Sequence, residues 1–229
     1  YQETRESYRA RYGVEIGFRD LAGFFSQLEA QPAAVNLASM VGHGTLHSFA
    51  VGESSRPATE AERRRMAALV DEAAKAGACG LSSGLEYLPG AFADLDELAA
   101  AAAPFRGTGL PYATHLRNED DRLLAAIEEA LNVGRRAGVA VHLSHLKAQG
   151  QRNWWKAGVV LEMIEAARGG RLDVTFDVYP YVAYSTGLSN LFPVWAREGG
   201  TDVFLRRLRQ PTSAPRIEAE VRDKVDQLG

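Results

Sequence analysis

Tyr112-Ala-Thr-His115-Leu-Arg-Asn118 and Val141-His-Leu-Ser-His145-Leu-Lys147 are short apolar runs that each end in a histidine with a cation two residues further on. The two histidines are thirty residues apart (145 − 115 = 30). A strand, its return helix and two loops take roughly thirty residues, so one βα unit separates the imidazoles. That spacing predicts neighbouring strands of a parallel sheet, with both rings emerging at the same edge. Side chains two apart on a strand share a face, so Arg117 is expected to accompany His115 and Lys147 to accompany His145. Two neutral imidazoles beside two cations suit a metal site that also holds an anionic substrate.

The rest of the chain repeats the same rhythm. Apolar runs at Val35–Gly42, Ala78–Leu85, Leu110–Leu116, Val139–Leu146 and Leu172–Tyr181 alternate with helical patterns at Glu60–Ala76, Leu95–Phe105, Asp120–Ala137 and Trp154–Ala167. This alternation predicts a parallel α/β sheet, either open or closed into a barrel. Thr59 is an N-cap before the early acids Glu60 and Glu62, and glycines at 77, 107 and 138 mark helix stops. After Tyr181 the rhythm breaks. Residues 183–229 read as a helical appendage, either a lid or a plain surface extension, beside a β/α domain over residues 1–182.

Composition narrows the function. A net charge of −3 gives no broad basic face for nucleic acid or anionic membrane. The single cysteine, Cys79, excludes an internal disulfide framework and predicts a reducing, cytoplasmic setting. No apolar run reaches transmembrane length, and the segment from Tyr1 has neither an initiator Met nor signal-peptide character.

Parallel α/β folds place their chemistry at the C-terminal strand ends, where His115, Arg117, His145, Lys147, Asp177, Tyr179 and Tyr181 fall. Zinc accepts neutral imidazole and lowers the pKa of bound water to about 7, which makes His115 and His145 the candidate metal ligands. His43, between two glycines, either lies in the site or shapes a loop. His142 alternates away from His145 and is expected against a helix, His47 carries little signal, and Cys79 reads as a small core residue. Ser82 and Ser83 lack the Gly-x-Ser-x-Gly elbow of a nucleophile and read as backbone partners. Tyr87, Tyr179 and Tyr181 either donate hydrogen bonds to a substrate or cap the core.

Five motifs now align in order: Gly42-His-Gly-Thr45, Gly80-Leu-Ser-Ser-Gly-Leu-Glu-Tyr87-x-Pro-Gly90, Tyr112-x-Thr-His-Leu-Arg-Asn-Glu119, Leu143-Ser-His-Leu-Lys147 and Asp177-Val-Tyr-Pro-Tyr181. Together, from about Phe18 to about Ser189, they resemble the N-acyl-D-amino acid deacylases (D-aminoacylases) of the amidohydrolase superfamily. The resemblance implies a zinc-dependent (β/α)8 TIM-type barrel that hydrolyses N-acyl-D-amino acids. It implies His115 and His145 as metal ligands after strands 5 and 6, and Tyr87, Arg117, Lys147 and Tyr179 as substrate contacts. Ser185 is a further candidate, in a segment that resembles the family's inserted lid. The family's His-x-His after strand 1, cysteine ligand after strand 2 and catalytic Asp after strand 8 have no counterpart here. The chain therefore reads as strands 3 to 7 of such a barrel. Alone it is expected to be inactive, to hold zinc weakly and to self-associate through open sheet edges. The rival readings are another metal-dependent amidohydrolase such as a cyclic amidase, a Schiff-base lyase using Lys147, and a non-catalytic binding domain.

Overall fold

The computed structural model describes residues 2–30, 34–52 and 54–228. Two helices open the chain, α1 (Gln2–Tyr12) and α2 (Leu21–Ala30). Five strands follow: β1 (Val41–Gly42), β2 (Leu81–Gly84), β3 (Pro111–His115), β4 (Ala140–Leu143) and β5 (Val174–Phe176). Between them lie α3 (His43–Ala50) and α4 (Glu60–Lys75), then α5 (Leu95–Ala102), α6 (Leu123–Ala137) and α7 (Lys156–Gly169). After β5 come α8 (Val194–Arg197), α9 (Thr201–Arg209) and α10 (Ala214–Leu228). No described helix is long and apolar enough to cross a membrane.

The strands pair in parallel in the order β1-β2-β3-β4-β5. Spatial order that follows chain order, with no reversal, is what a barrel requires, whereas a doubly wound sheet reverses at a switch point. The sheet is thus an arc of a TIM-type barrel, which resolves the open alternative left by the sequence.

One face of the arc lies under the helices. Leu81, Tyr112, Val141, Leu143 and Val174 are all buried, and the register Leu81↔Tyr112↔Val141↔Val174 puts them in line. Helix α6 meets that face with Leu123, Ala126, Ile127, Ala130, Leu131, Gly134 and Ala137, at the three- and four-residue spacing of an amphipathic helix. Ile127 and Ile164 are fully buried against Leu143, each contributing about 1.5–3 kcal/mol. The helix ends obey their capping signals. Thr59 forms a capping box with Glu62, and Gly138 closes α6 in the left-handed conformation (φ 72°).

Three sequence expectations are corrected. The first apolar run pairs only at Val41–Gly42, because α3 begins at His43; upstream, Val35 and Leu37 are exposed. His142 does not pack against a helix. Its strand neighbours Val141 and Leu143 take the helix side, so His142 faces the other way, opposite exposed Thr175. Cys79 is half-buried rather than a core residue, with its amide bonded to the Ser39 carbonyl.

Gly134 shows how close α6 comes to the sheet. A Cβ there would meet Val141 Cγ2 at 2.3 Å and the Val139 carbonyl at 3.2 Å. Alanine would gain about 1 kcal/mol of helix propensity, but overpacking against a stiff buried valine costs about 1–3 kcal/mol. Gly134→Ala is therefore expected to lower stability, read as a reduced urea midpoint. An unchanged or raised midpoint would show that α6 can move off β4.

Candidate metal and substrate site

Because β3 and β4 pair with Thr114 opposite Leu143, the chain leaves both strands side by side. His115 closes β3. His145 lies two residues beyond β4 in the left-handed region (φ 41°), so strand alternation does not set its direction. Asp177 does: its carboxylate accepts the His145 amide at 2.7 Å and His142 Nε2 at 2.7 Å. Burial pushes the Asp177 carboxyl up, but these two bonds hold it below the ordinary aspartate value.

The two imidazoles meet edge to face, with His115 Nδ1 2.9 Å from His145 Nε2. Each outer nitrogen has a carboxylate behind it. Glu86 Oε2 is 3.0 Å from His115 Nε2, and Glu119 Oε1 is 3.2 Å from His145 Nδ1. Burial raises the Glu86 carboxyl, while His115 and Lys224 outweigh it and keep it below the usual range. Glu119 is almost fully buried; Lys147 Nζ lies 2.7 Å from both its oxygens, and Gln149 Nε2 2.7 Å from Oε2.

A cavity of about 440 Å³ opens over these rings. Tyr87, Lys147, Tyr179 and Ser185 line it together with His115 and His145. Lys147 Nζ also lies over the Tyr179 ring, 5.6 Å from its centroid. The Tyr179 hydroxyl is buried without a hydrogen-bond partner, and burial raises its pKa. Residues beyond β5 close the other side. Tyr87 Oη meets Thr186 Oγ1 at 3.2 Å, Tyr184 donates to Gln149, and Lys224 reaches Glu86 at 3.3 Å.

Arg117 is placed elsewhere. Its Nε and Nη2 engage Glu129 on α6, while Nη1 and Nη2 donate to the Ala91 and Ala93 carbonyls. With β3 ending at His115, the two-residue spacing no longer sets Arg117's direction, and the guanidinium ties a loop to a helix.

His43 is also outside the cavity. At the start of α3 it is fully buried, and with His47 one helical turn on it meets Glu97 of α5: His43 Nε2 and His47 Nδ1 lie 2.8 and 2.7 Å from Glu97 Oε1. Glu97 Oε2 accepts the Ala58 amide at 2.7 Å. Among the described residues, this triad and His115–Glu119–His145 are the two groups with spacing for a metal ion. Metal-bound histidines donate their outer N–H to a partner. His43 Nδ1 and His47 Nε2 are buried with none, so an ion there would leave two unsatisfied donors. At His115 and His145 the outer nitrogens are backed, and that donor set fits a metal such as zinc. The His43 triad is structural.

Sequence reasoning missed Glu86, Glu119, Gln149 and Lys224. The available signal was a carboxylate in each strand-end loop beside a histidine strand, at Glu86 and at Glu119. Lys224 comes from α10, 138 residues from its partner, and left no local trace.

No family model matches the chain. A D-aminoacylase of Alcaligenes xylosoxydans xylosoxydans is 43% identical over 176 residues, which is 77% of this chain and 36% of that protein. The crystal structure of D-aminoacylase that defines a novel subset of amidohydrolases superposes with a TM-score of 0.68 at 39% identity, over 72% of this chain and 35% of that one. The N-acyl-D-glutamate deacylase of Bordetella bronchiseptica, complexed with zinc and a phosphonate mimic of the tetrahedral intermediate, gives 0.69 at 37% identity, again over 72% and 35%. Fold and strand-end histidines together define an amidohydrolase-type barrel. Over the stretch it shares with them, the chain belongs to the N-acyl-D-amino acid deacylase (D-aminoacylase) family. It spans about a third of the length of the relatives it matches.

Glu97 yields a prediction about acid stability. Burial raises its carboxyl, but His43, His47 and Ala58 outweigh that and hold it at about 2. The unfolded value is about 4.3, so the stabilisation is complete above that pH and is lost as pH falls towards about 2. Glu97→Ala leaves three buried donors unpaired and is expected to cost about 3–5 kcal/mol at neutral pH. The same substitution should flatten the fall in urea midpoint between pH 4.5 and 3; an equally steep fall in the variant would mean that other carboxylates govern it.

Proposed function

We propose that the protein carrying this chain hydrolyses the amide bond of N-acyl-D-amino acids, using a zinc ion held in part by His115 Nδ1 and His145 Nε2. The observation that carries this reading is the pair of inner ring nitrogens converging under the cavity, each ring having a carboxylate beside its outer nitrogen, half-buried Glu86 at His115 and buried Glu119 at His145. When bound, zinc supplies Lewis acidity toward a carbonyl and lowers the pKa of water. The chain's own residues bind and orient. Two lysines line the cavity; Lys147 lies against His145 while Lys224 pairs with Glu86, and we assign Lys147 the substrate's α-carboxylate. The unpartnered Tyr179 hydroxyl is set to donate to an oxygen that gains charge, a role for which the family relation and its position both argue. Tyr87 and Ser185 line the same wall as further contacts. Residues 183–228 act as a lid: Tyr184, Thr186 and Lys224 reach across to the barrel residues and exclude water from the bound amide.

The full-length protein should release free amino acid from N-acetyl-D-amino acids and not from the L-enantiomers. Chelation should abolish turnover and zinc restore it. His145→Ala should remove activity, and Lys147→Met should raise KM about 10–100-fold, the worth of one hydrogen bond to a charged group. Turnover indifferent to the chelator and to His145→Ala would overturn the metal reading. Equal rates on both enantiomers would overturn the substrate reading.

A further inference from the structure

Two groups compete for one nitrogen beside the cavity. His145 Nδ1 lies 2.9 Å from Lys147 Nζ, which can only donate to it, and 3.2 Å from Glu119 Oε1, which can only accept. A neutral imidazole carries one proton, so His145 satisfies one of them at a time.

With that proton on Nε2, every contact is used in sequence. Lys147 donates to His145 Nδ1, His145 Nε2 donates to His115 Nδ1 at 2.9 Å, and His115 Nε2 donates to Glu86 at 3.0 Å. In this arrangement no inner nitrogen has a free lone pair, and the pair cannot ligate a metal. With the proton on Nδ1, His145 donates to Glu119 and both inner lone pairs face each other. Two lone pairs at that separation repel unless a cation lies between them. The first tautomer belongs to the metal-free site and the second to the loaded one.

Without Glu119 the second tautomer would point an N–H at an ammonium, donor against donor. We propose that Glu119 is the positioning residue that makes His145 a ligand: it takes the Nδ1 proton's hydrogen bond from the position Lys147 holds in the metal-free site. This rests on the metal reading above. Glu119 is built to stay in place. Its side chain is 1% exposed, Gln149 Nε2 lies 2.7 Å from its second oxygen, and its carbonyl accepts the Gln149 amide at 2.7 Å. The His43–His47–Glu97 triad shows the contrast, since its carboxylate sits on the inner nitrogens and leaves the outer ones bare.

The test uses the full-length protein with selectively 15N-labelled histidines. Long-range proton–nitrogen correlations report which ring nitrogen carries the proton, and chelator competition reports the zinc Kd. His145 should carry its proton on Nε2 without metal and on Nδ1 with zinc. Glu119→Met should weaken zinc about 10–100-fold. Glu119→Gln keeps a neutral acceptor and should fall between that variant and wild type; it also serves if the methionine variant does not fold. A folded Glu119→Met or Glu119→Gln variant with wild-type zinc affinity would overturn the proposal, as would a His145 proton that stays on the same nitrogen in both states. Zinc that shifts neither His115 nor His145 would overturn the metal reading itself, and the proposal with it.

Discussion

Parallel pairing of β3 with β4, with Thr114 opposite Leu143, is the constraint on which the site depends. It carries two chain segments to one place while Tyr112, Val141 and Leu143 stay buried on the helix side. A slip of one residue would turn those apolar side chains to the other face, so the cost of exposing them protects the geometry of the histidines. The geometry of the candidate site is thus guarded by hydrophobic burial on the opposite face of the same strands.

Beyond the strands, control passes to charge. Asp177 anchors the His145 amide, Glu86 lies 3.0 Å from the outer nitrogen of His115, and Glu119 stands 3.2 Å from that of His145. These carboxylates come from different loops, after β5, β2 and β3 respectively, and Lys224 of α10 adds its charge from the far end of the chain. With the segment after β4 that carries His145 and Lys147, the site is a crossing point of five segments.

The α/β alternation, the parallel sheet and the adjacency of His115 and His145 at its strand ends were legible in the sequence, because periodicity and one βα spacing decide them; closure toward a barrel was legible only through the family resemblance. Lys147, Tyr87, Tyr179 and Ser185 could be named from family motifs, and all four line the cavity. Arg117 and His142 were misplaced for related reasons. Period-two reasoning was carried past the end of β3 for Arg117, and for His142 it was referred to His145, which had already left β4. The helix starting at His43 was missed because Gly42 and Gly44 read as a loop, although Glu97 draws both α3 histidines inward. Glu119 was invisible as a partner of His145, since only the folded chain brings it there.

His145 stands in a conformation that a residue with a Cβ adopts at a cost of about 1–2 kcal/mol. Glycine at this position would relax the backbone while deleting the ring. Stability alone would therefore favour glycine over histidine here, which is the pattern expected where a side chain is kept for its chemistry rather than for folding. On the proposed function, a stabilising substitution found at residue 145 in a screen would be expected to cost activity rather than to improve the protein.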